Sequence, residues 1–284
     1  MRSMTRYILF IFLFVSIQSE GQNRDIGLQY ILNEKDIEGA MLFFDKENNE
    51  YFTTSKGAVR RRYRPGTMFH LFSTLMFYQL GIVKDSTTQL KWNGEPYLFD
   101  GYNVPVWNKD THLAEAFRNG TEWYFSELSD DIEYKYFKKY IKKSKYGTIT
   151  SSRMPARDFW HGGRGKLSIT MKNQIKFLRR FRANKLPFDK ENIAKVKELM
   201  LEKTTNAYSL YGKVGTSQMK ELFYDDVRDM GWYCGFVETD DNVYYFISYV
   251  EKSWNDDRED FFELRRQVVH KGLKHLFDID VDKD

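Results

Sequence analysis

Residues 65–94 read PGTMFHLFSTLMFYQLGIVKDSTTQLKWNG, and the fold is decided there. Pro65-Gly66 interrupts whatever precedes it. Thr67 is a residue type that opens helices. Met68, Phe69, Leu71, Phe72, Leu75, Met76, Phe77 and Leu80 then leave almost no polar side. A helix that is apolar nearly all round is a buried helix, and Gly81 stands where such a helix should stop. The spacing puts Thr67 at the first turn of a helix through the middle of the protein. His70 lies one turn further on, on the same face. A hydroxyl followed three residues later by a basic nitrogen is how Ser-x-x-Lys presents a nucleophile and its base. Two readings stand: a Thr67–His70 dyad, or Thr67 as an N-cap and His70 as a core histidine.

The same stretch resembles the class D β-lactamases and their penicillin-sensing relatives, within the wider group of penicillin-binding transpeptidases. In that family the segment runs Pro-Ala-Ser-Thr-Phe-Lys, an apolar helix, Leu-Gly-Val-Val-Lys-Asp and Lys-Trp-Asp-Gly. Here Pro65 and Phe69 match, as do Leu80-Gly81-Ile82-Val83-Lys84-Asp85 and, closely, Lys91-Trp92-Asn93-Gly94. Further landmarks follow in order: Trp107-Asn108-Lys109-Asp110, Phe159-Trp160 ahead of Gly162-Gly163, Ser168-Ile169-Thr170, and Gly231 to Glu238. The resemblance covers roughly residues 39–277. It implies an α/β fold of the β-lactamase/transpeptidase type, a central antiparallel sheet flanked by helices with an all-helical insertion.

The positions that carry the family's chemistry are altered. The family's serine is Thr67, which keeps a hydroxyl and adds a rotamer-restricting methyl. The family's lysine, carboxylated on its amine to serve as base, is His70, which cannot form that carbamate. A neutral imidazole could act as base, since its unperturbed pKa lies near 6.5. The serine of Ser-x-Val falls at Gly120, in Gly120-Thr121-Glu122, with Thr121 next door as a substitute hydroxyl. Lys-Thr-Gly appears as Lys213-Val214-Gly215, so a substrate-binding hydroxyl is missing at Val214. Thr216 could supply one if the strand bulged. Arg265 matches an arginine that grips the substrate carboxylate in part of the family; the other reading makes it a surface helix residue. Trp160 stands where a tryptophan packs beside the carboxylated lysine, and Tyr146-Gly147-Thr148 where the family has Tyr-Gly-Asn. Residues that act as a unit lose function together.

The rest of the chain agrees with one domain. Gly39 to Thr54 reads as a hairpin around Asn48-Asn49. Residues 86–110 read as a packed connection. His112 to Phe125 and Asp131 to Lys143 read as two helices, with helices also at Ile169 to Phe181 and after Asp189. Tyr208 to Gly212, Trp232 to Glu238 and Val243 to Val250 read as strands, and Phe261 to Phe277 as a closing helix. Strands at both ends with helices between suggest one antiparallel sheet with a helical insertion.

Composition sets the outer bounds. A net charge of +4 over 284 residues is too mild to argue for nucleic acid. Arg60-Arg61-Arg62 and Lys138 to Lys145 read as solvated faces, with the basic, aromatic helix Tyr134 to Lys145 as a partner-binding surface in the alternative reading. The single cysteine, Cys234, excludes an internal disulfide and reads as a buried, inert thiol. His161, His270 and His275 are scattered and no metal-ligand spacing occurs, so no cofactor or metal is expected. Arg2, Arg6 and the apolar run Tyr7 to Ile17 read as a leader covering residues 1–21, too short to span a bilayer comfortably, with a retained anchor as the alternative. Residues 22–284 then form the domain, exported to the periplasm or the cell exterior, with no stable membrane insertion.

The functional expectation is a class D β-lactamase-like protein impaired or inactive in β-lactam hydrolysis. Its possible ligands are a β-lactam or a peptidoglycan stem peptide, and its site residues Thr67, His70, Lys213, Gly215, Thr216, Arg265 and Trp160. One alternative is an active hydrolase or penicillin sensor with Thr67 as nucleophile. The other is a non-catalytic interaction protein.

Overall fold

The computed structural model describes residues 21–99, 102–150, 167–220, 227–253 and 260–283. Its centre is a seven-stranded sheet. In chain order its strands are β1 (Gly21–Arg24), β2 (Glu38–Asp45), β3 (Glu50–Thr53), β10 (Leu201–Thr204), β11 (Ser209–Lys220), β12 (Val227–Glu238) and β13 (Val243–Ser253). The spatial order is β1-β3-β2-β13-β12-β11-β10, with β1 parallel to β3 and every other pair antiparallel. Three short ribbons lie outside it: β4 (Gln89–Leu90) with β7 (Thr111–His112), β5 (Leu98–Phe99) with β6 (Tyr102–Asn103), and β8 (Thr148–Ile149) with β9 (Leu167–Ser168).

Both faces of the sheet are covered, and the strand alternation says by what. Ala40, Leu42 and Phe44 of β2 join Trp232, Cys234 and Phe236 of β12 in a core shared with the helical insertion. Met41 and Phe43, one residue out of phase, join Tyr233 and Val237 in a second core with α1 (Ile26–Glu34) and α8 (Phe261–Phe277). Strands buried on both faces read as unbroken apolar runs, which is why Ala40 to Phe44 has no polar side.

α2 (His70–Gln79) is the buried helix. Its polar members are satisfied inside it: the Ser73 and Thr74 hydroxyls donate to the carbonyls of Phe69 and His70, at 3.3 and 2.7 Å. The helix starts later than the sequence pattern suggests. Gly66–Phe69 forms a 3-10 turn, and Thr67 lies within it rather than at an N-cap. The reason is tertiary, since the Thr67 hydroxyl is engaged by β11 instead of its own helix.

The insertion also has one helix more than the sequence pattern suggests. Where residues 112–125 read as one helix, α3 (Leu113–Asn119) ends at Gly120 and α4 (Glu122–Asp130) begins after Thr121. Gly120 has φ +69, a left-handed conformation that stops a helix and favours glycine. α5 (Tyr134–Ser144), α6 (Met171–Arg182) and α7 (Lys190–Met200) complete it. Asp189 holds the N-cap position of α7, but its carboxylate accepts from Gln79 Nε2 (3.1 Å) while its backbone N–H donates to Gln79 Oε1 (2.8 Å). The end of α2 is thereby tied to the start of α7. The late strands run longer than their apolar cores: β11 continues through Lys213-Val214-Gly215-Thr216.

Candidate active site

The site lies where the 3-10 turn of Thr67 meets β11, and two glycines permit the contact. A Cβ on Gly215 would stand 2.4 Å from the Met68 backbone nitrogen, and one on Gly66 2.0 Å from the Thr216 carbonyl oxygen. Real Cβ atoms do not approach so closely, so the two backbones are pressed together at a spacing that only glycine allows. Gly66 also has φ +54.

This apposition places the Thr67 side chain. Its Oγ1 accepts the Thr216 backbone N–H at 2.8 Å and lies 3.3 Å from Thr216 Oγ1. The register from Lys213↔Cys234 to Thr216↔Gly231 is uninterrupted, so Thr216 reaches Thr67 without a bulge. The hydroxyl oxygen thus occupies a backbone donor on β11. In acyl transfer, a backbone N–H beside the nucleophile stabilises a developing oxyanion.

His70 is not a partner of that hydroxyl. Its side chain is fully buried and lies flat on Phe125, with ring centroids 3.7 Å apart and planes 6° from parallel. Phe125 comes from α4, Phe77 stacks on its ring at 5.7 Å, and the imidazole is one plate in an aromatic pile. Two aromatics stacked this closely fix the ring's plane.

Gly120 sits across from the nucleophile position: a Cβ there would lie 3.5 Å from Thr67 Oγ1. Position 120 is therefore where a side-chain hydroxyl could touch Thr67, and glycine leaves that place without one. Thr121 does not fill it. Its side chain is buried and its Oγ1 makes no hydrogen bond.

Lys213 is buried, 2% exposed, with its ammonium 5.0 Å from the Phe117 ring centroid and donating to the Val214 carbonyl at 2.6 Å. Among the described residues no carboxylate forms an ion pair with it. Burial, and after it the charge of Arg265, lowers its pKa from the usual lysine value to about 7. Val214 packs into the apolar layer under α8, so its side chain is spent on packing.

Arg265 is 8% exposed, which removes the surface reading of this residue. Its Nη1 donates to the Gly215 carbonyl at 3.0 Å, and its guanidinium lies 5.3 Å from the Phe262 ring centroid. Its Nε has no hydrogen-bond partner. Burial and then Arg266 press its pKa below the usual arginine value. Arg265 thus braces the strand turn that carries Thr216. Trp160 lies outside the described residues. Cys234, opposite Lys213, is buried, and its pKa is pushed up to about 12.

Sequence reasoning placed Thr67, Gly120, Lys213, Gly215 and Thr216 in one site; the structure sets Thr67 against Thr216 and Gly120, and Gly215 against Met68, while Lys213 packs on Phe117 and donates to Val214. Sequence reasoning missed Phe125 under His70, Phe117 over Lys213 and the role of Gly66. The first two are ordinary apolar helix positions. The third had one signal, the Pro-Gly pair directly before Thr67.

The site thus sits on a mixed sheet covered on both faces, with the Thr67 hydroxyl pressed against β11, next to the edge strand β10. The penicillin binding protein transpeptidase domain matches residues 31–262, and the chain belongs to that family. Among its relatives, the regulatory protein BlaR1 of Bacillus licheniformis is 29% identical over 213 residues, 75% of this chain but only 33% of the relative. The probable β-lactamase YbxI of Bacillus subtilis is 28% identical over 219 residues, 77% of this chain and 76% of the relative. Solved structures agree. The class D β-lactamase YbXI from Nostoc superposes with a TM-score of 0.75 at 29% identity, covering 88% of this chain and 98% of the other. The class D β-lactamase of Sebaldella termitidis gives 0.79 at 25%, covering 92% and 100%. This chain is thus similar both to class D β-lactamases and to a regulatory protein of which it spans about a third.

Proposed function

We propose that the protein is an exported, class D β-lactamase-like domain that receives a β-lactam or a peptidoglycan stem peptide and is impaired in hydrolysing it. The observation that carries this reading is the pairing of Thr67 with Thr216 rather than with a base. Acylation would require the Thr67 oxygen to attack the ring carbonyl carbon, lose its proton to a base, and have a proton delivered to the departing nitrogen. Oγ1 instead accepts the Thr216 N–H at 2.8 Å, and His70 is held flat against Phe125. Gly120 offers no hydroxyl to relay a proton. General acid–base assistance contributes about two to four powers of ten. Losing both the base and the relay therefore reduces turnover by several powers of ten.

Ligand binding can outlast that loss. Thr216 keeps a hydroxyl at the site, and Arg265 keeps a positive charge behind β11. A carboxylate-bearing ligand fits that field. Residues 1–21 act as the export leader in this reading, and residues 22–284 as the domain.

One observation favours a second reading, a penicillin sensor acylated at Thr67. The Thr67 hydroxyl lies 2.8 Å from the Thr216 backbone N–H, a donor of the kind that stabilises the oxyanion of an acyl transfer. The two readings separate on nitrocefin hydrolysis and intact mass with the purified residue 22–284 domain. The impaired reading expects neither turnover nor a stable adduct. The sensor reading expects a stable mass increase equal to one ligand. Rapid turnover would overturn both.

A further inference from the structure

A cleft of about 740 Å³ opens between the C-terminal ends of α5 and α6 and the corner where β2 ends. It shares no residue with the candidate active site. Tyr245 in its wall pairs through Phe236 with Tyr211, five residues along β11 from Thr216. At about 3.3 Å per strand residue the two sites are roughly 17 Å apart along the sheet.

Its lining is cationic. Lys46, Lys145, Lys176 and Lys185 all line it, all are exposed, and none makes an ion pair. Three arginines join them, and among the described residues no carboxylate lines the cleft. The arginines have structural duties. Arg180 donates to the carbonyls of Ser144 (2.7 Å), Lys143 (3.3 Å) and Lys185 (3.1 Å), closing the ends of α5 and α6. Arg182 pairs with Glu238 at 2.6 Å, and Arg179 stacks over Phe44 at 4.0 Å. Cations near helix C-termini are favoured by the helix dipole, and that accounts for Arg180. The same holds for Lys145 and Lys185 just past the ends of α5 and α6, but not for Lys46 at the β2 corner or Lys176 in the body of α6.

The cleft also has a built feature. Ser144 lines it, is fully buried, and its Oγ has no hydrogen-bond partner. A buried hydroxyl without a partner costs free energy; this one is closed to solvent, so a ligand oxygen would satisfy it once a neighbouring side chain at the cleft wall moves aside. Phe177 and Tyr245 give the cleft an apolar floor.

We propose that this cleft binds a phosphate-bearing ligand. A phosphate group carries nearly two negative charges and several acceptor oxygens, which suits four uncompensated ammonium groups and one orphaned hydroxyl. A monocarboxylate would leave most of that charge unanswered. The concave shape and apolar floor argue for a phosphate group entering the cleft rather than lying across a flat surface.

The test uses inorganic pyrophosphate as the soluble probe and phosphatidic acid in phosphatidylcholine vesicles as the headgroup probe. Calorimetric titration with pyrophosphate is expected to give saturable binding that weakens steeply with salt. It should weaken at least tenfold in Lys176→Glu, Lys185→Glu, whose side chains are exposed, and severalfold in Ser144→Ala, each with an unchanged melting temperature. A second double variant, Lys46→Glu, Lys145→Glu, repeats the test from the opposite walls. Pyrophosphate binding without vesicle binding assigns a soluble phosphate compound, and vesicle binding lost in the same variants assigns a lipid headgroup. No binding of either probe, or binding equally strong in both double variants, overturns the proposal. β-Lactam labelling at Thr67 does not enter these readouts.

Discussion

The Thr67 side chain holds two strands of the account together, because its oxygen is both the candidate nucleophile and the acceptor for the Thr216 N–H. Thr67→Val keeps the shape and removes the acceptor. It is expected to cost about 1 to 2 kcal/mol in urea unfolding, the usual loss when a partly buried donor is left unmet; Thr67→Ser should cost less. Lys213 makes a second residue-scale prediction. Its folded-state pKa, about 7, lies below the lysine reference of 10.5. Between those values the unfolded chain holds the proton and the folded chain does not, so stability rises with pH across that window and is flat below it. The limiting slope is about 1.4 kcal/mol per pH unit. Unfolding followed from pH 7 to 9 should show that rise, and Lys213→Met should flatten it. Above pH 9 the raised pKa of Cys234 works in the opposite direction, so the comparison belongs below it. These residues were legible as positions, since the ordered landmarks fixed which residue stands where in the family pattern. Their partners were not: Phe125 and Phe117 approach from other helices, and nothing in their own segments marks the contact.

At the scale of elements, the central event is the close approach of the 3-10 turn at Gly66–Phe69 to β11. The apolar run from Met68 announced a buried helix, and α2 is buried along its length. The first turn was misread because its backbone follows β11 rather than helix propensity. Gly215→Ala tests this directly. The added Cβ would meet the Met68 backbone, which cannot step aside as a flexible side chain can. The substitution should cost at least about 2 kcal/mol by urea unfolding, in the range for overpacking. Gly120 marks the other boundary that sequence periodicity blurred. Apolar residues continue at helical spacing through residues 112–125, and a single glycine in the left-handed region breaks the run into α3 and α4. The same break brings position 120 within reach of Thr67.

On the scale of the whole molecule, two cores on opposite faces of one sheet make the domain robust to change at the site. The larger core surrounds α2 and the smaller one seats α1 and α8; Thr67 and Gly120 meet where the insertion touches β11, while Val214 packs on the other face under α8. Such a contact can lose its chemistry while both cores stay packed, so fold and activity can part company. The sheet and the closing helix were legible because their apolar runs are long. The basic cleft was not, because its lysines come from residues 46 to 185 and meet only in the folded chain. The proposed function holds that a β-lactamase/transpeptidase-type fold surrounds a site impaired in acyl transfer. The measurement that tests it most directly is intact-protein mass spectrometry with a fluorescent penicillin, run on wild type, Thr67→Ala, and the double variant Thr67→Ser, His70→Lys. The account predicts no persistent adduct on wild type and labelling of the double variant. A wild-type adduct that vanishes in Thr67→Ala would contradict it and make Thr67 a working nucleophile.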